Sequence, residues 1–142
     1  MTSKPIPLVR YHGAEITEPM IRTLVETFYG RVRRDPLLGP IFEPVLAHGW
    51  DAHIDRLVDF WSSVVLRTGR YGGQPHAAHA GLALAPAHFH HWLALFESTA
   101  QEVCPPAAAE IFVDRAHRIA AGLQASLGIS TLNQNPGDER RD

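Results

Sequence analysis

The sequence has a single cysteine, Cys104, in 142 residues. No intrachain disulfide can form, and no cysteine-based zinc or iron–sulfur site can be built. No segment approaches the apolar length of a membrane span. Neither sign of charge dominates, since 13 Lys+Arg against 15 Asp+Glu leave a net charge of −2. That balance gives no general attraction to nucleic-acid phosphates or anionic lipid, so neither is an expected partner. The opening stretch carries Pro5 and Pro7 and lacks the apolar core of a secretory signal, which makes a cytoplasmic location the expectation. No Gly-rich dinucleotide fingerprint is present, so redox chemistry would need electrons from a separate reductase. Histidine, by contrast, is plentiful: there are 9. Imidazole ligates metals and titrates near neutral pH, so chemistry is sought there first.

The length suits one domain, and 45% hydrophobic with 20% charged residues is ordinary for a globular chain. Residues 1–13 read as an irregular lead-in, 14–129 as the folded domain, and 130–142 as a polar, disordered tail. Four helical patterns fill the domain, and nothing reads as a strand. The first spans 17–34, with Thr17 as N-cap and Ile21, Leu24, Val25, Phe28, Tyr29 and Val32 on one face. Asp35-Pro36 stops it, and 36–42 form a tight corner. The second spans 49–68, with Trp50, His53, Leu57, Phe60 and Trp61 sharing a face and Gly69 as its stop. The third opens at Pro86 and carries Phe89, Trp92 and Phe96. The fourth opens at Pro106 and carries Ile111, Phe112, Ile119 and Leu123.

A lone histidine facing a core is more often a satisfied structural group than a ligand, because a buried imidazole needs partners for both nitrogens. His53 and His79 depart from that reading together. They sit on separate elements and both face an aromatic-rich interior, which suggests an object shared between them. His76 and His79 could bind a transition metal alone, but no His-Glu-x-x-His pattern supports it. His88 lies one turn before Trp92 and could reach the same interior. His90 and His117 are expected in solvent, and His91 at the edge of the core. Tyr29 and Trp92 are polar-tipped aromatics on core faces. With His53 they would aim three donors into one apolar site, an arrangement for holding a small, partly anionic ligand.

These features occur in a specific order: Phe28-Tyr29, Val32-Arg33, Asp35, Leu38-Gly39-Pro40-Ile41-Phe42, Trp50-x-x-His53, Phe60-Trp61, Tyr71-Gly72-Gly73-Gln74-Pro75, His79, and Trp92-Leu93-x-Leu95-Phe96. In that order and spacing the chain resembles the truncated, two-over-two haemoglobins of group III. The resemblance implies an all-α, globin-like fold, a two-over-two helical sandwich around haem b (iron protoporphyrin IX). His79 matches the proximal histidine that ligates iron, and Tyr29, His53 and Trp92 match the distal residues that meet a bound ligand. Phe28, Phe42, Leu57, Phe60, Trp61, Tyr71, Phe89, Trp92 and Phe96 are expected around the porphyrin, with Arg67, Arg70 and Tyr71 near its propionates. A free sixth position would take O₂, NO or CO. The implied role is a tight O₂ binder acting as carrier, store or sensor. The alternative is an enzyme for NO dioxygenation or peroxide reduction, served by an external reductase.

Overall fold

The computed structural model describes residues 9–11, 14–46, 49–73 and 84–126, the side chains of 9–11, 14 and 45 excepted. The expected tail at 130–142 lies outside them. The chain opens with a two-stranded antiparallel hairpin, β1 (Val9–Tyr11) and β2 (Ala14–Ile16), which pairs Val9 with Ile16 and Tyr11 with Ala14. This corrects the expectation of an irregular lead-in without strands. Three-residue strands are too short for alternation to show in sequence, and Ile16 is fully buried, tying the hairpin to the core.

Helix α1 (Glu18–Arg34) begins where Thr17 Oγ1 accepts the Met20 N–H at 3.3 Å. It ends at Asp35, whose Oδ2 accepts the N–H groups of Leu37 and Leu38, both at 2.9 Å. The carboxylate thereby satisfies N–H groups of the turn that leads into the next helix, after Pro36 has ended α1. Gly39 follows under a steric demand: a Cβ there would lie 2.8 Å from the Arg33 carbonyl oxygen. The expected tight corner instead winds into α2 (Gly39–Leu46), with Pro44 inside it. Gly39, Pro40 and Pro44 mimic a turn in sequence, but eight apolar-rich residues held against α1 make two helical turns.

Helix α3 (Trp50–Val65) ends in an irregular stretch where Arg67 and Gly69 both take positive φ, 60° and 73°. Helices α4 (Pro86–Val103) and α5 (Pro106–Ser126) each carry proline at or next to the first position, and Pro105 separates them. The helices pack as two pairs, α1 with α3 and α4 with α5, and α1 also lies against α4. Phe28, Val65, Phe96 and Phe112 are essentially inaccessible and mark where the pairs meet. Cys104 is buried with them, and burial pushes its thiol up to about 11, so it stays protonated and unreactive. Among the described residues no helix is long and apolar enough to cross a membrane.

Candidate functional site

Between the helix pairs lies an open cavity of about 300 Å³. Tyr29 reaches it from α1, and Leu38, Phe42 and Leu46 close one side from the corner and α2. His53, Arg56, Leu57, Phe60 and Trp61 present successive turns of α3 to it, and Tyr71 follows. Leu84 and the α4 residues His88, Phe89 and Trp92 form a further wall, and Ile119, Ala120 and Leu123 of α5 complete it. The lining is mostly apolar with a few polar tips, the usual character of a cofactor site.

The polar tips converge at Tyr29. Trp92, whose indole N–H can only donate, lies beside the Tyr29 hydroxyl at the cavity wall and favours its ionised form. Tyr29 is only 6% exposed, and His53 stands edge-on to its ring at 5.7 Å. Burial pushes the Tyr29 phenol up to about 12, against the opposing pull of the Trp92 N–H. At neutral pH the phenol therefore keeps its proton. With Trp92 able only to donate, the protonated Tyr29 hydroxyl keeps its O–H as a donor for a ligand in the cavity.

A second layer holds this arrangement rigid. Phe96 is stacked between Trp92 (5.4 Å, 7°) and Trp61 (5.3 Å, 10°). Phe28 stands edge-on to Tyr29, Trp92 and Phe96 at 4.7, 5.5 and 5.1 Å. Phe28 and Phe96, expected at the porphyrin, are not among the cavity-lining residues; they sit one layer behind, 1% exposed each. Helical periodicity places a ring on a face and says nothing of its depth behind that face.

Of the other expected residues, Tyr29, Phe42, His53, Leu57, Phe60, Trp61, Tyr71, His88, Phe89 and Trp92 all line the cavity. His79, with His76 beside it, lies outside the described residues. Arg67 and Arg70 are not among the lining residues. The Arg70 guanidinium turns to α1 and α3, meeting Glu18 through two bonds of 2.7 and 2.9 Å, Asp59 at 3.1 Å and Ser62 at 3.0 Å. The basic residue at the cavity is Arg56, which the sequence reading passed over because it adjoins an apolar face without sharing it. Leu38, Leu46, Leu84, Ile119, Ala120 and Leu123 were missed as well. The sequence pattern places Ile119 and Leu123 on a helix face, and a core face and a cavity wall carry the same side chains.

His88 accepts the Ala85 N–H on Nδ1 at 2.8 Å, which leaves the proton on Nε2. His91 Nε2 lies 2.7 Å from Asp35 Oδ1, at the core edge as expected, and His90 and His117 are exposed. Among the described residues no group of three or more His, Cys, Asp and Glu could hold a bare metal ion. A flat, apolar ligand suits the cavity: its walls are aromatic and aliphatic, a few polar tips gather around the buried Tyr29, and Arg56 is placed to meet an acidic edge. The described residues thus fit a haem.

The comparisons with known proteins agree. Residues 15–124 match the family described as bacterial-like globin. The chain is 34% identical over 116 residues to the group 3 truncated hemoglobin ctb of Campylobacter jejuni, covering 79% of this chain and 91% of that protein. A crystal structure of a group III truncated hemoglobin from Campylobacter jejuni superposes with a TM-score of 0.74 at 32% identity, covering 84% of this chain and 95% of that one.

Proposed function

The chain belongs to the bacterial-like globins, as a group III truncated haemoglobin, and on that premise we propose that it binds O₂ tightly through donors from Tyr29 and Trp92. Membership makes it a haem globin that takes small diatomic ligands. Haem, when bound, would supply an iron able to take such a ligand. The chain's own residues supply the rest. His79, by its match to the proximal position, is the residue that would hold the iron, and haem b is the proposed form.

The observation that carries the reading is the buried Tyr29 phenol at the wall of an apolar cavity that the donor Trp92 also lines. Trp92 fixes the orientation of the hydroxyl, and Phe28 and Phe96 fix Trp92. The Tyr29 O–H then donates to the oxygen of a ligand that draws negative charge onto itself. His53, edge-on to Tyr29 on the same wall, is placed to add a second contact. One neutral hydrogen bond contributes about 0.5–1.5 kcal/mol net, a factor of about 2–12 in release rate. Leu57, Phe60, Phe89 and Leu123 exclude water around that contact, which strengthens it.

Hemin titration tests the cofactor, with one equivalent per chain and a Soret band as the expected result. His79→Ala should abolish stable loading, and an unchanged iron–imidazole signature in that variant would refute the axial assignment. Tyr29→Phe should speed O₂ release several-fold with the fold intact. Trp92→Phe should do so less, since its effect passes through the Tyr29 hydroxyl. If neither variant alters release, the donor reading fails even where haem is bound.

A further inference from the structure

His88 serves two places at once. It stands in the first turn of α4, and it lines the cavity. Resting on the haem reading above, we propose that His88 is a two-ended connector. Its Nδ1 fixes the start of α4 and its Nε2–H binds a carboxylate of the cofactor, so that loading the cavity orders the helix that carries Trp92.

The first end answers a lack. Ala85 occupies the N-cap position of α4, where its methyl group can accept no hydrogen bond. His88 supplies an acceptor instead. The Ala85 N–H donates to His88 Nδ1 at 2.8 Å, and the His88 N–H donates back to the Ala85 carbonyl at 2.9 Å. Glutamate or glutamine is the usual side chain for reaching back to the N-cap N–H from this position. Glutamate there would put a negative charge at the cavity, whereas a neutral imidazole accepts without one.

The second end follows from the first. A neutral imidazole has one acceptor nitrogen and one N–H. With Nδ1 accepting, the proton is committed to Nε2, and among the described residues nothing accepts from it. Arg56 brings further donors to the same cavity from α3. Among the described residues that line this cavity there is no Asp or Glu. An acidic acceptor for both side chains therefore comes with the ligand, and a carboxylate can accept from both at once.

The ring couples the two ends. An anion that accepts from the Nε2–H pushes electron density into the imidazole and makes Nδ1 the stronger acceptor. The Ala85 N–H is then held more tightly. Leu84 adjoins Ala85, and Trp92 follows His88 by one turn of α4; both line the cavity. A filled cavity thereby tightens its own wall.

His88→Glu separates the ends, because glutamate keeps an acceptor for Ala85 and replaces the donor with a like charge. In urea unfolding of the apoprotein this variant should keep the parent's midpoint, whereas His88→Leu, which loses both ends, should lower it. Equal midpoints for the two variants would overturn the first end. Hemin affinity, read by quenching of tryptophan fluorescence, should fall about tenfold in His88→Glu, the scale of one charge-assisted hydrogen bond. Hemin dimethyl ester lacks the carboxylates, so parent and variant should bind it alike. No fall with hemin, or an equal fall with both compounds, would overturn the second end. A parent that takes neither compound refutes the haem reading and the connector with it. A parent that takes both, with no dependence on His88, refutes the connector alone.

The coupling has a readout of its own. Loading the full chain with zinc protoporphyrin, which is diamagnetic, should slow hydrogen exchange at the Ala85 amide more than loading with its dimethyl ester does. The excess should vanish in His88→Glu. Equal protection of Ala85 by the two compounds in the parent, or an excess that survives in the variant, would overturn the coupling.

Discussion

The wall behind Trp92 and the rim around Tyr71 are made by different means. The wall is two aromatic layers deep, Trp61 and Trp92 at the cavity and Phe28 and Phe96 behind them, set by turns of α1, α3 and α4, and it contains almost no polar atom. At the rim, an irregular chain with two positive-φ residues is tied down by polar contacts. Arg70 grips Glu18, Asp59 and Ser62, and the Tyr71 N–H bonds Ser63 Oγ at 3.0 Å. The wall excludes water and owes its rigidity to packing, which no salt or pH change removes. The rim stands in water and is held by charges that salt screens. A binding site needs both: a fixed face to orient donors, and a looser edge through which a large, flat cofactor is admitted.

The largest expected effect lies in the wall. Phe96 is sandwiched between two tryptophans and is 1% exposed. Phe96→Ala should cost about 3–5 kcal/mol in urea unfolding, with the m-value unchanged. The loss should also free the Trp92 ring and so speed O₂ release. A cost under about 1 kcal/mol would show that the ring stack is not what holds the wall.

The same contrast explains how much could be read from the sequence. Helices α1, α3, α4 and α5 were legible because their apolar residues recur every three or four positions over long runs. Thr17, Pro86 and Pro106 marked starts, and Asp35-Pro36 marked a stop, each by a local mechanism that tertiary structure does not override. Helix α2 was hidden because its glycine and prolines carry turn chemistry. The hairpin was hidden because three residues give no period. Tyr29, His53 and Trp92 could be found at the cavity because a polar tip on an apolar face is conspicuous. The depth of Phe28 and Phe96 could not, since first and second layers use the same rings. Nor could the grip of Arg70 on Glu18, a contact across 52 positions with no local signature.

Asp35 joins wall to rim and should give an intermediate effect. Its backbone N–H closes the end of α1 on the Val32 carbonyl, while its carboxylate caps the turn that follows, bonds His91 and holds Leu38, a cavity residue, at the corner. Partial burial works against its ionisation, but His91 and the Leu37 and Leu38 N–H groups outweigh that and hold its pKa below the ordinary 3.8. A carboxyl with a lowered folded pKa stabilises fully above the unfolded value, and that contribution disappears as pH falls through the folded one. Asp35→Ala should therefore cost about 0.5–2 kcal/mol at neutral pH, the range for a lost cap. The gap between variant and parent should close as the pH falls below 3.8. A gap that stays constant down to pH 2 would mean that the carboxylate charge plays no part in fixing the corner.

The smallest effect on stability is expected at Arg70, and its smallness is informative. The Arg70 side chain is 43% exposed, as is Asp59, and Glu18 is 27% exposed. Arg70→Met leaves both carboxylates able to reach water, so no charge is stranded and the cost should be about 0.2–1 kcal/mol. Tyr71, the next residue, lines the cavity and rests edge-on against Phe60 at 5.2 Å, so its backbone loses one of its two anchors while Ser63 keeps the other. Haem loss to an acceptor globin should therefore accelerate in the variant more than its stability change would suggest. Raising salt should bring the parent chain toward the variant's rate, because ions screen the Arg70 contacts and leave the Ser63 bond alone. If stability and haem retention fell together by several kcal/mol, insensitive to salt, the rim would be held by packing after all, and the division between wall and rim would not stand.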